Sequence, residues 1–354
     1  MISGEISDSP RNPFNGGFMR KKCFLLLRII IAVLLLVWLV GRIDPSKLSQ
    51  LDLTRISLCL ALALLLMSCQ VSFGAWRWKL LLQAQGIKIS LWRAISLSFQ
   101  GNAFSLFMPG GALGGDVVKA AIVAVESDEK KRMEGITTVA LDRLIGMSAL
   151  FIIVLAISIL GYQKIMQVDF TIRTGVFGLL TGCLITILIV ASLFFHDYLL
   201  KFHLYAKFIN KLDRFFKGKI TRVISAIVLY RKQRIVLLKA FLISLLLVHP
   251  FLLSTMYVLV WGISGKQPDF FSTYLAIALG NSAAVLPATP GGLGMRDKVV
   301  QTILLAFGVN DQSATLAPLG FSITLILCGC IGLTCFLAES FMKRSLASFK
   351  STGE

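Results

Sequence analysis

Long apolar runs separated by short polar segments dominate this chain. The runs at 23–41, 56–75, 136–160, 175–195, 235–263 and 313–341 reach the roughly 18 apolar residues that mark a bilayer-spanning helix. Two further apolar stretches, 94–125 and 270–295, are interrupted near their centres, the first by Pro109-Gly110-Gly111 and the second by Pro287 and Pro290-Gly291-Gly292. The arms of the first are roughly 11–15 residues, at most about 22 Å of helix, which falls short of a hydrocarbon core of about 30 Å. Each interrupted stretch is therefore expected to enter and leave on one side, as a re-entrant hairpin. The short run 299–307 has two readings, as the return arm of the second hairpin or as a helix lying at the interface. The pattern predicts an all-α polytopic transmembrane helical bundle of about six full spans and two glycine-rich hairpins. Residues 1–22 and 342–354 would be cytoplasmic tails, and 196–234 a basic cytoplasmic loop within a membrane domain over 23–341.

Composition agrees, with 56% hydrophobic residues and a mean hydropathy of +0.79, above the roughly 45–50% apolar content of soluble domains. The first run follows Arg20-Lys21-Lys22, but no small-residue cleavage site closes it, so it reads as a retained span rather than a secretory signal. The seven cysteines lie in or beside apolar runs, where they pack as small hydrophobes rather than as a disulfide framework.

The net charge of +18 bears on orientation rather than on nucleic acid, because the basic residues fall between spans. The stretch 196–239 carries 11 Lys and Arg against Asp197 and Asp213, which the positive-inside rule places in the cytoplasm. With the N-terminus also inside, the chain returns to the cytoplasm near Arg77, Lys79, Lys88 and Arg93, and the last span delivers Lys343, Arg344 and Lys350 there. Leu204, Phe208, Leu212, Phe215 and Phe216 recur near helical spacing, consistent either with an amphipathic helix on anionic headgroups or with a solvated loop.

The two interrupted stretches also resemble each other. One reads Gly101-Asn102, then Pro109-Gly110-Gly111, Gly114-Gly115 and Asp116; the other reads Gly280-Asn281, then Pro290-Gly291-Gly292, Gly294 and Asp297. Three full spans separate the copies, so they point oppositely through the membrane, which is the inverted-repeat pattern whose interrupted segments mark the binding site in many transporters. Non-helical backbone at that depth must be buried in protein or line a polar cavity. The helix after each glycine run offers free N–H groups and partial positive charge to an anion, for which a lipid phosphate is the natural candidate. The competing reading is that the glycines only permit tight hairpin packing.

Charge inside apolar runs is costly and marks function or structural pairing. Asp116 and Lys119 share a helical face, Asp142-Arg143 lies inside the third span, and Arg296-Asp297 closes the second repeat. Lys119, Arg143 and Arg296 would neutralise phosphate, with Asp116, Asp142 and Asp297 holding those cations or a coupling ion. Arg28 reads as snorkelling, His249-Pro250 as a kink, and Trp76, Trp78 and Trp92 as an interfacial belt. His196, His203 and His249 are too scattered for a metal site, no Walker-type phosphate loop is present, and neither metal nor other cofactor is expected.

These two motifs, with Asp142-Arg143 between them, resemble the flippase-like family of the lysylphosphatidylglycerol synthase transmembrane region, over residues 24–341. In that family an arginine is usual where Lys119 stands, and a glutamate where Asp297 stands; lysine also forgoes the two-pronged grip of arginine on phosphate. The resemblance implies a domain that moves lipid between leaflets of a bacterial or archaeal cytoplasmic membrane. In larger members it is joined to a soluble aminoacyl-transferase domain; the chain ends soon after its last span, so synthase activity is not expected. The expected partners are lipids with phosphate-containing headgroups, alongside a lipid-synthesis enzyme or a second copy of the chain, and no nucleic acid. The alternatives are an intramembrane transferase, for which Asp116, Asp142 and Asp297 are the only bases, and a non-catalytic subunit of a glycolipid or phospholipid synthesis complex.

Overall fold

A computed structural model of the chain describes residues 52–107, 112–215, 230, 233–285 and 292–351. The predicted first span at 23–41, Arg28, Pro109, Gly110, Gly111, Pro287, Pro290 and Gly291 lie outside them. The described residues are helical, with no strand among them. In chain order they form α1 (Leu53–Ala84), α2 (Leu91–Phe107), α3 (Ala112–Glu126), a 3-10 turn (Glu129–Lys131), α4 (Arg132–Leu160), α5 (Tyr162–Met166), α6 (Phe170–Phe194), α7 (His196–Leu199) and α8 (His203–Phe215). After residue 233 come α9 (Arg234–Ile243), a π-helical turn (Ser244–Val248), α10 (His249–Ser264), α11 (Phe270–Ala283), α12 (Met295–Ala306) and α13 (Asp311–Ser351).

Among the described residues five segments are long and apolar enough to cross a membrane: Leu53–Ala84, Glu129–Leu160, Phe170–Phe194, Arg234–Ser264 and Asp311–Glu339. They coincide with the five predicted runs that fall within the described residues. Asp52 caps α1 through the Arg55 N–H, Asp169 caps α6 through Thr171, and Asp269 caps α11 through Ser272. Gly265, at φ +67°, ends α10 in the left-handed conformation.

The interrupted stretches become two pairs of packed short helices, α2 with α3 and α11 with α12. At 17, 15, 14 and 12 residues, their arms are roughly 18–26 Å long. Residues 299–307 lie almost wholly in α12, packed on α11 and α13 with Val300, Ile303 and Leu304 buried, so this run is the return arm of the second pair.

α1 packs against α2, α4, α9, α10 and α13 and stands at the centre of the bundle. Contacts between chain ends sort these helices by direction. At one end Lys131 donates to the Gly86 carbonyl, Gln233 to that of Ala84, and Arg93 pairs with both Glu126 and Glu339. At the other, Arg55 donates to the Gly262 carbonyl and Lys164 pairs with Asp269. Tyr230 of the basic stretch also lies at the first end, donating to the Leu81 carbonyl.

Two sequence expectations need correction. Arg77 is not a loop cation: α1 continues two turns beyond it, and the side chain is 7% exposed. Trp78 is not at an interface; it is fully buried and donates to Thr138 Oγ1 at 3.2 Å, whereas Trp76 and Trp92 are exposed at 40% and 77%. The π turn just before Pro250 is the local irregularity that the missing proline N–H predicted.

Candidate functional site

An arginine in a spanning helix must find compensation, and Arg77 finds it in α4. Its Nε donates to Asp142 Oδ1 at 2.7 Å and its Nη2 to Oδ2 at 2.9 Å, a bidentate fork, while Nη1 donates to Ser244 Oγ at the start of the π turn. A π turn shifts the register of side chains on its helix, and here it sets Ser244 opposite α1. Asp142 and Arg143 are successive on α4 and so project about 100° apart. Asp142 faces α1, and Arg143 faces the first hairpin, where Nη1 meets Asp116 Oδ2 at 2.9 Å.

Gly101 and Gly115 bring α2 and α3 into backbone contact: a Cβ on Gly115 would lie 2.0 Å from the Gly101 carbonyl oxygen. A Cβ on Gly101 would in turn lie 2.9 Å from Lys119 Cδ, so the lysine stem is laid across the missing side chain. Lys119 is 8% exposed, and its Nζ sits 4.0 Å from the centroid of the Trp78 ring. Asp116 and Lys119 therefore do not pair with each other; one meets Arg143 and the other an aromatic face.

Between α1, α4 and this hairpin lies a cavity of about 150 Å³. Asn102, Gly115, Asp116, Lys119, Asp142 and Arg143, all read from the sequence as site residues, line it together. Gln70, Gly74, Arg77, Ser98 and Ser105 complete most of the wall and were not foreseen. Ser98 Oγ is buried without a hydrogen-bond partner. Arg77 left no decisive signal: Leu80-Leu81-Leu82 continue the apolar run beyond it, but a charge near the end of such a run reads the same whether the helix stops or goes on.

The second hairpin is closed on itself. Arg296 Nη2 and Nε donate to Asp297 Oδ1 at 3.0 and 3.2 Å, Ser322 Oγ donates to the same carboxylate at 2.9 Å, and the Gly294 N–H donates to Oδ2 at 3.0 Å. Arg296 also donates to Ser322 and covers the Phe321 ring, and it is 3% exposed. Gly294, at φ +85°, begins α12, and Gly292 has φ +73°. Asn281 Nδ2 is buried and unpartnered at the end of α11. Asn281, Gly292, Gly294, Arg296 and Asp297 thus form a separate cluster, and Gly114 lies in the first turn of α3 outside the cavity wall.

The two hairpins nonetheless cross alike. Gly101 meets Gly115 and Lys119, while a Cβ on Gly280 would lie 2.5 Å from Val300 and 3.2 Å from Arg296. Counted from Pro109 and Pro290, Gly115 and Arg296 occupy the same place in their motifs, as do Asp116 and Asp297, and Lys119 and Val300.

Residues 25–332 match the model of a family described as the lysylphosphatidylglycerol synthase TM region. A UPF0104 membrane protein of Pyrococcus horikoshii is 25% identical over 308 residues, covering 83% of this chain and 90% of the relative. The chain belongs to the family of the lysylphosphatidylglycerol synthase transmembrane region.

Proposed function

We propose that this protein moves a lipid with a phosphate-containing headgroup between membrane leaflets, holding the headgroup in the cavity beside the first hairpin while the tails stay in the bilayer. The observation that carries this reading is the clustering of Arg77, Lys119 and Arg143 around one polar cavity about two turns from the end of a spanning helix. Buried cations at such depth are costly and are retained where a charged group must pass. The like crossings of the two hairpins support duplication, and the three spans between them (α4, α6 and α9–α10) support opposite orientations. On this reading both hairpins are re-entrant, and the end that holds Lys131 and Arg93 faces the cytoplasm together with the N-terminus.

Purified protein in liposomes, assayed with a leaflet-specific reagent against labelled phospholipids, tests the proposal. Lipid movement above that of empty liposomes, lost in an Arg143→Gln variant, is expected. No movement of any anionic, aminoacylated or isoprenoid-linked lipid overturns it. An intramembrane transferase is the weaker reading, because Asp116 and Asp142 are each engaged by an arginine and neither faces a histidine or cysteine in the cavity wall.

A further inference from the structure

The cavity beside the first hairpin carries a charge pattern that selects among headgroups; this rests on its being the headgroup site. Its described lining holds three cations, Arg77, Lys119 and Arg143, and two carboxylates, Asp116 and Asp142. Arg77 is forked onto Asp142 and Arg143 reaches Asp116, so four of the five charges offset one another in pairs. Among the described residues Lys119 makes no ion pair; its ammonium sits 4.0 Å from the Trp78 ring, and Asp142 and Asp116 act on it only from beyond ion-pair distance. An aromatic face compensates a buried cation only partly.

A second, independent observation points to a ligand. Ser98 Oγ is buried in the wall of this cavity, 9% of the residue being exposed, and has no hydrogen-bond partner. A hydroxyl left in that condition costs free energy that a ligand's polar group would recover. Gln70, Asn102 and Ser105 add uncharged donors and acceptors to the same wall.

We propose that this cavity takes a monoanionic phosphodiester whose headgroup carries uncharged hydroxyls, with Lys119 as its counter-charge and Ser98 as a hydroxyl partner. Among the described lining residues one surplus cation matches one phosphate charge. A headgroup with its own ammonium, such as an aminoacylated one, would bring a further cation among three already packed there. A phosphomonoester or diphosphate would bring negative charge that the wall leaves unmatched.

The test titrates the full-length protein in detergent with short-chain phosphatidylglycerol, phosphatidic acid, lysyl-phosphatidylglycerol and phosphatidylmethanol, and with soluble glycerophosphoglycerol. Bound lipid is read by native mass spectrometry, and Trp78 emission against a Trp78→Phe variant. Phosphatidylglycerol should bind about tenfold more tightly than phosphatidic acid or the lysyl lipid. Lys119→Gln should erase that preference and Lys119→Arg keep it. Ser98→Ala, a mild change that keeps the fold testable, should weaken phosphatidylglycerol but not phosphatidylmethanol, which lacks the hydroxyls. Equal or tighter binding of the lysyl lipid, or an unchanged preference in Lys119→Gln, overturns the inference. Glycerophosphoglycerol binding as well as the short-chain lipid would keep the phosphodiester chemistry and remove the lipid as its source. Preferential binding without movement in liposomes leaves this inference standing and overturns the transport reading; movement of both lipids alike does the reverse.

Discussion

Arg77 of α1 and Asp142 of α4 are joined by two hydrogen bonds of 2.7 and 2.9 Å, tying together two spanning helices at a point where both side chains are buried beside the cavity. Removing one partner would strand the other. Arg77→Met and Asp142→Leu are each expected to destabilise the protein by about 3–5 kcal/mol, whereas the two combined should cost much less. Thermal inactivation in detergent of the two single variants and the double variant checks this, and additive losses would refute it.

Two glycines of the site should respond oppositely to a methyl group. A Cβ on Gly74 meets nothing within 4 Å, because it points into the cavity, so Gly74→Ala should be neutral or stabilise α1 by up to about 1 kcal/mol. Gly74→Leu should fold and lose bound lipid. Gly115→Ala, whose Cβ would run into the Gly101 carbonyl, should lose the folded state. Yield and melting temperature of the purified variants separate these outcomes.

Asp269 predicts a pH dependence at the opposite end of the bundle. Partial burial pushes its carboxyl up, but the Ser272 N–H and the Lys164 ammonium outweigh that and hold it below the ordinary carboxylate value. A depressed pKa contributes stability above the unfolded value and loses it as pH falls, here below about 4. The pair is half exposed, so the effect should be small. Melting curves of the protein and Asp269→Asn should differ at pH 6 and converge towards pH 3.

Orientation is open to labelling. In a background without other cysteines, Lys266→Cys should react in intact cells with a membrane-impermeant maleimide, and Lys130→Cys only after permeabilisation; both positions are exposed. The reverse result would invert the topology argued from the positive-inside rule.

The spans, the two hairpin pairs and six of the cavity residues were legible because each leaves a local mark, whether an apolar run, a Pro-Gly-Gly break or a charge in the wrong solvent. Arg77 was not, since a charge near the end of an apolar run looks alike whether the helix stops or continues. Only its meeting with Asp142, 65 positions away, distinguishes the two. The different states of the two hairpins were equally hidden. Their motifs match, but Ser322 of α13 and the place of Arg296 beside Asp297 fill the second, while Arg143 of α4 leaves the first open.

The Gly101–Gly115 contact, backbone against backbone, makes the first hairpin one stiff panel. The Arg77–Asp142 fork makes α1 and α4 another. The panels share an apolar seam at Trp78, Leu82, Leu97, Val123 and Val139; Lys119 lies over the Trp78 ring, and Asp116 pairs with Arg143. Widening the cavity would pivot on that seam like a door on its hinge, with a largely buried ion pair as the latch. On the proposed function, an arriving phosphate would compete with Asp116 for Arg143 at that latch.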